Sequence, residues 1–172
     1  MYQDHINKNL THQQKIFFEN MTQYLDTPLY FYGSILRTDY DKKSDIDLCI
    51  FSDNILSMQN KLQHFLSIDK RKFKKIIWKK SKKIIYGTKI MYKNPKKNII
   101  SEISIFNFKD REDILDDHYS KVSIPFYAVA MLYILKFLHY KIEIMNRSYY
   151  AYFKKLLLSY GIGKTFDPFI IL

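Results

Sequence analysis

The chain has 172 residues, 47% of them hydrophobic and 17% aromatic. That is the size of one domain with at most a small appendage, and it carries enough apolar material for a core. Disorder, collagen-like repeats and low-complexity tails are excluded as the main organisation. A single cysteine, Cys49, excludes a disulfide framework and any cysteine-based zinc cluster and fits a reducing compartment. Twenty-eight Lys and Arg against seventeen Asp and Glu leave a formal charge of +11, which favours an anionic partner: nucleic acid, a triphosphate or an acidic membrane surface.

In chain order, Ile16, Phe17, Met21 and Leu25 recur at helical spacing and predict a half-buried helix over 11–25, ended by Pro28. Leu29-Tyr30-Phe31-Tyr32 predicts a short strand stopping at Gly33-Ser34. A polar linker over 38–44 leads to a second strand at 45–51. Ser52 or Asp53 is the expected cap of a helix over about 55–68. Two strands are expected at 73–78 and 84–92, and Asn94-Pro95-Lys96-Lys97-Asn98 is turn chemistry closing a hairpin onto a strand at 99–106. The remainder reads as helical: an acidic segment near 110–117, then 124–144, then 149–160, with Gly161 and Gly163 as stops. The pattern predicts an α+β domain, a mixed sheet covered by helices at one end. Residues 1–108 would form the catalytic unit and 109–172 a C-terminal helical region.

The charge is concentrated. Residues 70–97 hold thirteen basic residues and no acid, so the remainder of the chain has fifteen bases against seventeen acids. A solvated strand face is the plain reading. The density of cations favours phosphate-backbone attraction instead, with Lys79, Lys80, Lys82 and Lys83 as its centre and Phe73 or Trp78 available to stack on bases.

The chemistry is expected in Phe31-Tyr32-Gly33-Ser34-Ile35-Leu36-Arg37 and in Ser44-Asp45-Ile46-Asp47-Leu48. Strand alternation puts Asp45 and Asp47 on one face and Ile46, Leu48 and Ile50 on the other. Two neighbouring carboxylates repel unless a cation lies between them. Mg²⁺ or Mn²⁺ suits such oxygen donors and keeps open positions for substrate phosphates. Gly33 and Ser34, between a strand and an expected helical turn, offer backbone N–H groups to a phosphate, and Arg37 follows one turn later. Glu102 is the sole acid between Asp69 and Asp110 and sits in an apolar strand. A metal shared with Asp45 and Asp47 would compensate it; a lysine partner or a water-facing edge is the alternative.

Gly33-Ser34 after an aromatic residue, followed twelve residues on by Ser-Asp-x-Asp-apolar, resembles the signature of the DNA polymerase β-like nucleotidyltransferase superfamily. The resemblance covers roughly 28–108. It implies a palm-type fold and a nucleoside triphosphate held by Gly33 and Ser34. It also implies two divalent ions on Asp45, Asp47 and Glu102, and NMP transfer to a hydroxyl with release of pyrophosphate. Two departures stand out: the third acid is Glu where Asp is commoner, and the chain lacks the added domains of the polymerase members. Ser-Asp-Ile-Asp-Leu-Cys looks like the terminal uridylyl and adenylyl transferases. There, helical lysines and tyrosines contact the nucleotide; Lys136, Lys141, Tyr149, Tyr150 and Tyr152 are available, with packing roles the simpler reading. Arg37 and the small size look instead like the minimal nucleotidyltransferases, some of which act on proteins or pair with toxins.

The expected acceptor is the 3′ end of RNA or DNA. Nucleotidylation of a protein or small molecule, and a silent nucleic-acid-binding module, are the alternatives, and a protein partner is possible. The polar start and the shortness of the apolar run at 126–135, against about 20 residues for a spanning helix, lead to the expectation of an intracellular protein, cytoplasmic or nuclear, off the membrane. Gly161-Ile162-Gly163-Lys164-Thr165 imitates the end of a P-loop without its first glycine, and the five histidines have no metal-ligand spacing. The acids at 110–117 are read as favouring a helix N-terminus or drawing in the basic segment.

Overall fold

The computed structural model describes residues 2–80, 83–120, 122, 125–162 and 170–171. Alternating apolar residues build the strands β1 (Tyr30–Tyr32), β2 (Ile46–Phe51), β3 (Lys74–Lys80), β4 (Lys83–Asn94), β5 (Ile99–Phe106) and the two-residue β6 (Ile170–Ile171). They form one mixed sheet in the order β1-β2-β5-β4-β3-β6. β2 and β5, inside the sheet, run parallel, and every other neighbouring pair is antiparallel. The β4–β5 hairpin turns through a 3₁₀ segment, Pro95–Lys97. Asn94 caps it by accepting from the Lys97 N–H, and Asn98 takes the left-handed conformation at φ 49°.

The helices are α1 (Tyr2–Asn9), α2 (His12–Leu25), α3 (Ile55–Leu66), α4 (Arg111–Ser120), α5 (Phe126–Tyr140) and α6 (Arg147–Ile162). Thr11 and Gln14 close a reciprocal capping box at the start of α2. Asn54, not Ser52 or Asp53, caps α3: its side chain accepts from Ser57 N–H at 2.9 Å, while Ser52 holds Asn54 in place. Strand periodicity sends Leu48, Ile50, Ile103 and Ile105 to one face, where Phe17, Phe18, Met21 and Leu25 of α2 and Met58, Leu62 and Leu66 of α3 cover them. The opposite face has a smaller core of Cys49, Phe51, Ile76, Trp78, Ile85 and Phe106, closed by Ile114 of α4. Helices therefore cover both faces rather than one end, because the second face also carries an apolar patch, Cys49 and Phe51 of β2 and Phe106 of β5. α5 and α6 pair with each other around Leu132, Leu135, Tyr150 and Leu158. Among the described residues no helix is long and apolar enough to cross a membrane.

Candidate active site

The site lies on the face of the sheet shared with α4. In the parallel β2–β5 register Asp47 stands directly opposite Glu102, so both carboxylates leave the sheet on the same side. Asp45 lies one residue before β2, and its charge acts on Asp47. Burial, then the charges of Asp45 and Glu102, push the Asp47 carboxyl well above the usual carboxylate range, against the pull of Lys154 and Lys89. The Tyr40 hydroxyl nearby is pushed up to about 12 by burial and by Asp41, Asp45 and Asp47.

Gly33 opens a 3₁₀ turn, Gly33–Leu36, directly after β1, with φ at +74°. Its Cα faces the Asp47 carboxylate so closely that a Cβ placed there would collide with Oδ2. The glycine-serine turn and the carboxylates therefore meet at one point, set by β1 pairing antiparallel with β2 so that Tyr32 is opposite Asp47. Ser34 is buried, and its carbonyl accepts from the Arg37 N–H at 3.0 Å.

Arg37 does not face this point as a free cation. Its guanidinium is buried and grips both carboxylate oxygens of Asp39, Nε to Oδ1 at 2.7 Å and Nη2 to Oδ2 at 3.1 Å. Lys136 of α5, also buried, reaches Oδ2 of Asp39 at 3.0 Å and donates to its carbonyl, while the Tyr133 hydroxyl donates to the Thr38 carbonyl. Burial works against the Asp39 charge, but Arg37 and Lys136 outweigh it and hold the carboxyl below its usual range. Burial lowers Lys136 in turn, and Arg37 and Lys154 add to this, so the Asp39 partnership only partly offsets the shift. The cluster latches α5 to the segment that follows the glycine-serine turn. Its parts, Arg37, Asp39 and Lys136, are 99 residues apart at the extremes, and no local pattern in the sequence announces their meeting.

Glu102 has a lysine partner: Lys89 of β4 donates to Oε2 at 3.0 Å, with both side chains mostly buried. Lys89 belongs to the basic run but is drawn inward by strand alternation. Behind the carboxylates, Tyr32, Cys49 and Ser104 form a polar layer; burial raises both the Tyr32 hydroxyl and the Cys49 thiol, and Asp47 and Glu102 add to it. Beside Asp45 opens a cleft of about 430 Å³ between the sheet and the α5–α6 pair, edged by Lys43, Lys93, Arg147 and Lys154 with Tyr140 and Tyr150. Lys141, Tyr149 and Tyr152 are exposed and do not line it.

Among the described residues, no three His, Cys, Asp or Glu side chains form a ready-made metal cage. The donor set nonetheless suits a hard divalent ion: carboxylate oxygens share one face, and Asp47 is raised by burial and then by its acidic neighbours, a charge pattern such an ion relieves.

Of the basic residues singled out from the sequence, Lys79 is exposed on β3, Lys82 lies outside the described residues, and of Lys80 only the backbone is described. Lys83 is turned to α4, where it pairs with Asp110 at 2.9 Å and Asp113 at 2.7 Å. The acidic segment thus does draw in part of the basic run. Trp78 packs inward against Phe106 and His118, and Phe73 against the larger core, so neither presents a face for stacking.

Residues 15–117, more than half of the chain, match the family model of the nucleotidyltransferase domain. The chain belongs to that family. The matched span runs from α2 through most of α4 and includes Gly33, Asp45, Asp47 and Glu102. This nucleotidyltransferase domain is therefore a member of the superfamily that its glycine-serine and Asp-x-Asp motifs resemble. Among solved structures it is similar to a chain of the GLD-2/RNP-8 complex, at 16% identity and a TM-score of 0.43, over 84% of this chain. It spans 46% of that chain's length. No curated protein matches the sequence at a significant level.

Proposed function

We propose that this domain transfers a nucleoside monophosphate from a nucleoside triphosphate to a hydroxyl group, releasing pyrophosphate. The observation that carries the reading is the convergence of Asp47 and Glu102, abreast in parallel strands, with the Gly33 turn pressed against Asp47. Asp45, Asp47 and Glu102 would hold Mg²⁺ or Mn²⁺, which supply charge neutralisation at the attacking and leaving oxygens. The chain's own part is positional and electrostatic. Gly33 and Ser34 receive the triphosphate with backbone N–H groups, and Lys93, Arg147 and Lys154 offset its charge from the cleft. The acceptor hydroxyl attacks the α-phosphorus in line, its proton passes to Glu102, and the bond to the β-phosphate oxygen breaks. Arg37, committed to Asp39, contributes by holding the turn and α5 together rather than by contacting phosphate.

The test is incubation with Mg²⁺ or Mn²⁺, each α-labelled nucleoside triphosphate in turn, and RNA, DNA and protein acceptors. Label transferred to an acceptor with stoichiometric pyrophosphate, and lost in a variant carrying Asp45→Ala and Asp47→Ala, is the expected result. Absence of transfer to every acceptor under both metals overturns it.

A further inference from the structure

The thirteen-base run divides by strand alternation into two faces, and one of them is left without acidic partners. Paired across β3 and β4 on the face away from the carboxylates are Lys75 with Thr88, Ile77 with Tyr86, and Lys79 with Ile84. Tyr86 is 61% exposed and Ile84 52% exposed. Lys75 and Lys79 are exposed as well, each one diagonal step from Tyr86, roughly 7–8 Å on a pleated sheet. Among the described residues neither lysine makes an ion pair or hydrogen bond. Of the two helices packed on this side of the sheet, α3, the one in contact with β4, contains no acid, and Asp69 at the foot of β3 is already taken by Arg71 at 2.7 Å.

A solubility device does not look like this. Edge lysines guard a strand by displacing apolar groups. Here β6 pairs with β3 at Ile76 and Ile77, and a large aromatic, Tyr86, and an isoleucine, Ile84, lie in the open between the cations. An exposed ring flanked by unpaired cations matches a chain of alternating phosphates and unstacked bases: the ring takes a base face, the ammonium groups take the phosphates. Four other bases of the run are engaged elsewhere: Arg71 by Asp69, Lys83 by Asp110 and Asp113, Lys89 by Glu102, and Lys97 over the Phe17 ring at 5.5 Å.

We infer that the Lys75–Tyr86–Lys79 surface binds single-stranded polynucleotide, anchoring it on the sheet face opposite the carboxylate site. As an anchor for the acceptor it rests on the transferase reading; as a binding surface it is independent, since it uses different residues and needs no metal.

The experiment is fluorescence anisotropy with the full chain in EDTA, using a labelled 15-nucleotide single strand as RNA and as DNA, the corresponding duplex, and heparin as a polyanion without bases. Tyr86→Ala is expected to weaken single-strand binding by between about fivefold and a hundredfold, the worth of one stacked base. Tyr86→Phe retains binding, and heparin binding is unchanged by either. Lys75→Glu with Lys79→Glu is expected to reduce the slope of log K against log salt by about 1.4, at roughly 0.7 for each phosphate contact with a single strand. Equal affinity of Tyr86→Ala and the parent chain, an unchanged salt slope, or a duplex bound as tightly as the single strand overturns the inference. Transfer lost in Asp47→Asn with strand binding intact, or strand binding lost in Tyr86→Ala with transfer to a small acceptor intact, separates this surface from the active site.

Discussion

Replacement of Gly33 by alanine separates the strain of a turn from the displacement of the carboxylate proposed to act in transfer. Two costs arise at this position. The backbone sits at φ +74°, where an L side chain is disfavoured by roughly 1–2 kcal/mol. The new methyl would also collide with Asp47 Oδ2, while Asp47 Cγ lies 3.3 Å from it, so the carboxylate has to move by something on the order of 1 Å. Against a domain stability of about 5–15 kcal/mol the strain is affordable, and Gly33→Ala should fold with a urea midpoint lowered in proportion to about 1–2 kcal/mol. The displacement is the larger effect in the site. A misplacement of that size costs about a hundredfold in rate, or roughly 2.7 kcal/mol of transition-state stabilisation. Urea denaturation and steady-state transfer measured on the same preparation read the two separately. Gly33→Ala with parental kcat/KM and an unchanged midpoint would refute the close approach between turn and carboxylate, and with it the geometry of the site.

Three further outcomes are expected. Because Asp47 is raised in the folded state, the metal-free protein holds this contribution to stability below the ordinary carboxylate pKa and loses it as pH rises through the raised value. The rise in Tm on adding Mg²⁺ should therefore be greater at pH 8 than at pH 5, and an equal rise at both counts against metal binding at Asp47. Asp39 titrates in the opposite sense: its lowered carboxyl contributes stability above the ordinary value that is lost as pH falls through the folded one. Asp39→Ala leaves Arg37 and Lys136 buried without their anion and should cost about 3–5 kcal/mol in chemical denaturation, whereas a loss below 1 kcal/mol would mean that the latch is slack. Lys89→Met removes the cation beside Glu102, so Mg²⁺ should bind at lower concentration in a thermal-shift titration; a weaker response would show that Lys89 assists the ion instead of competing with it.

Much of the fold is legible from local periodicity. α2, α3 and the strands from β2 to β5 announce themselves because each has one apolar face, and Asp47 and Glu102 are legible as site residues because each is a charge in an otherwise apolar strand. Two elements escape this reading. α1 is polar in sequence and is held as a helix by docking, with Ile6 in the core and Asn9 Nδ2 donating to the Ile35 carbonyl at 2.8 Å. β6 is two residues long and gains its identity only from pairing with β3. At the site, Lys89 was hidden in a run whose composition says only that it is basic; its direction follows from the β4–β5 register, a non-local quantity. The spacing to Gly33 points Arg37 at phosphate, but its partner is set by Asp39 folding back and by α5, which is distant in the chain.

The parallel pairing of β2 with β5 has a consequence for how the site comes into being. Adjacent parallel strands need a long excursion between them, here α3, β3 and β4. A ribosome that has released everything through β4 has therefore delivered one carboxylate strand and the glycine turn but not their complement. Asp47 and the glycine turn gain Glu102 as a neighbour only when β5 slots between β2 and β4, so the carboxylate pair is completed by the last of the long strands to be made.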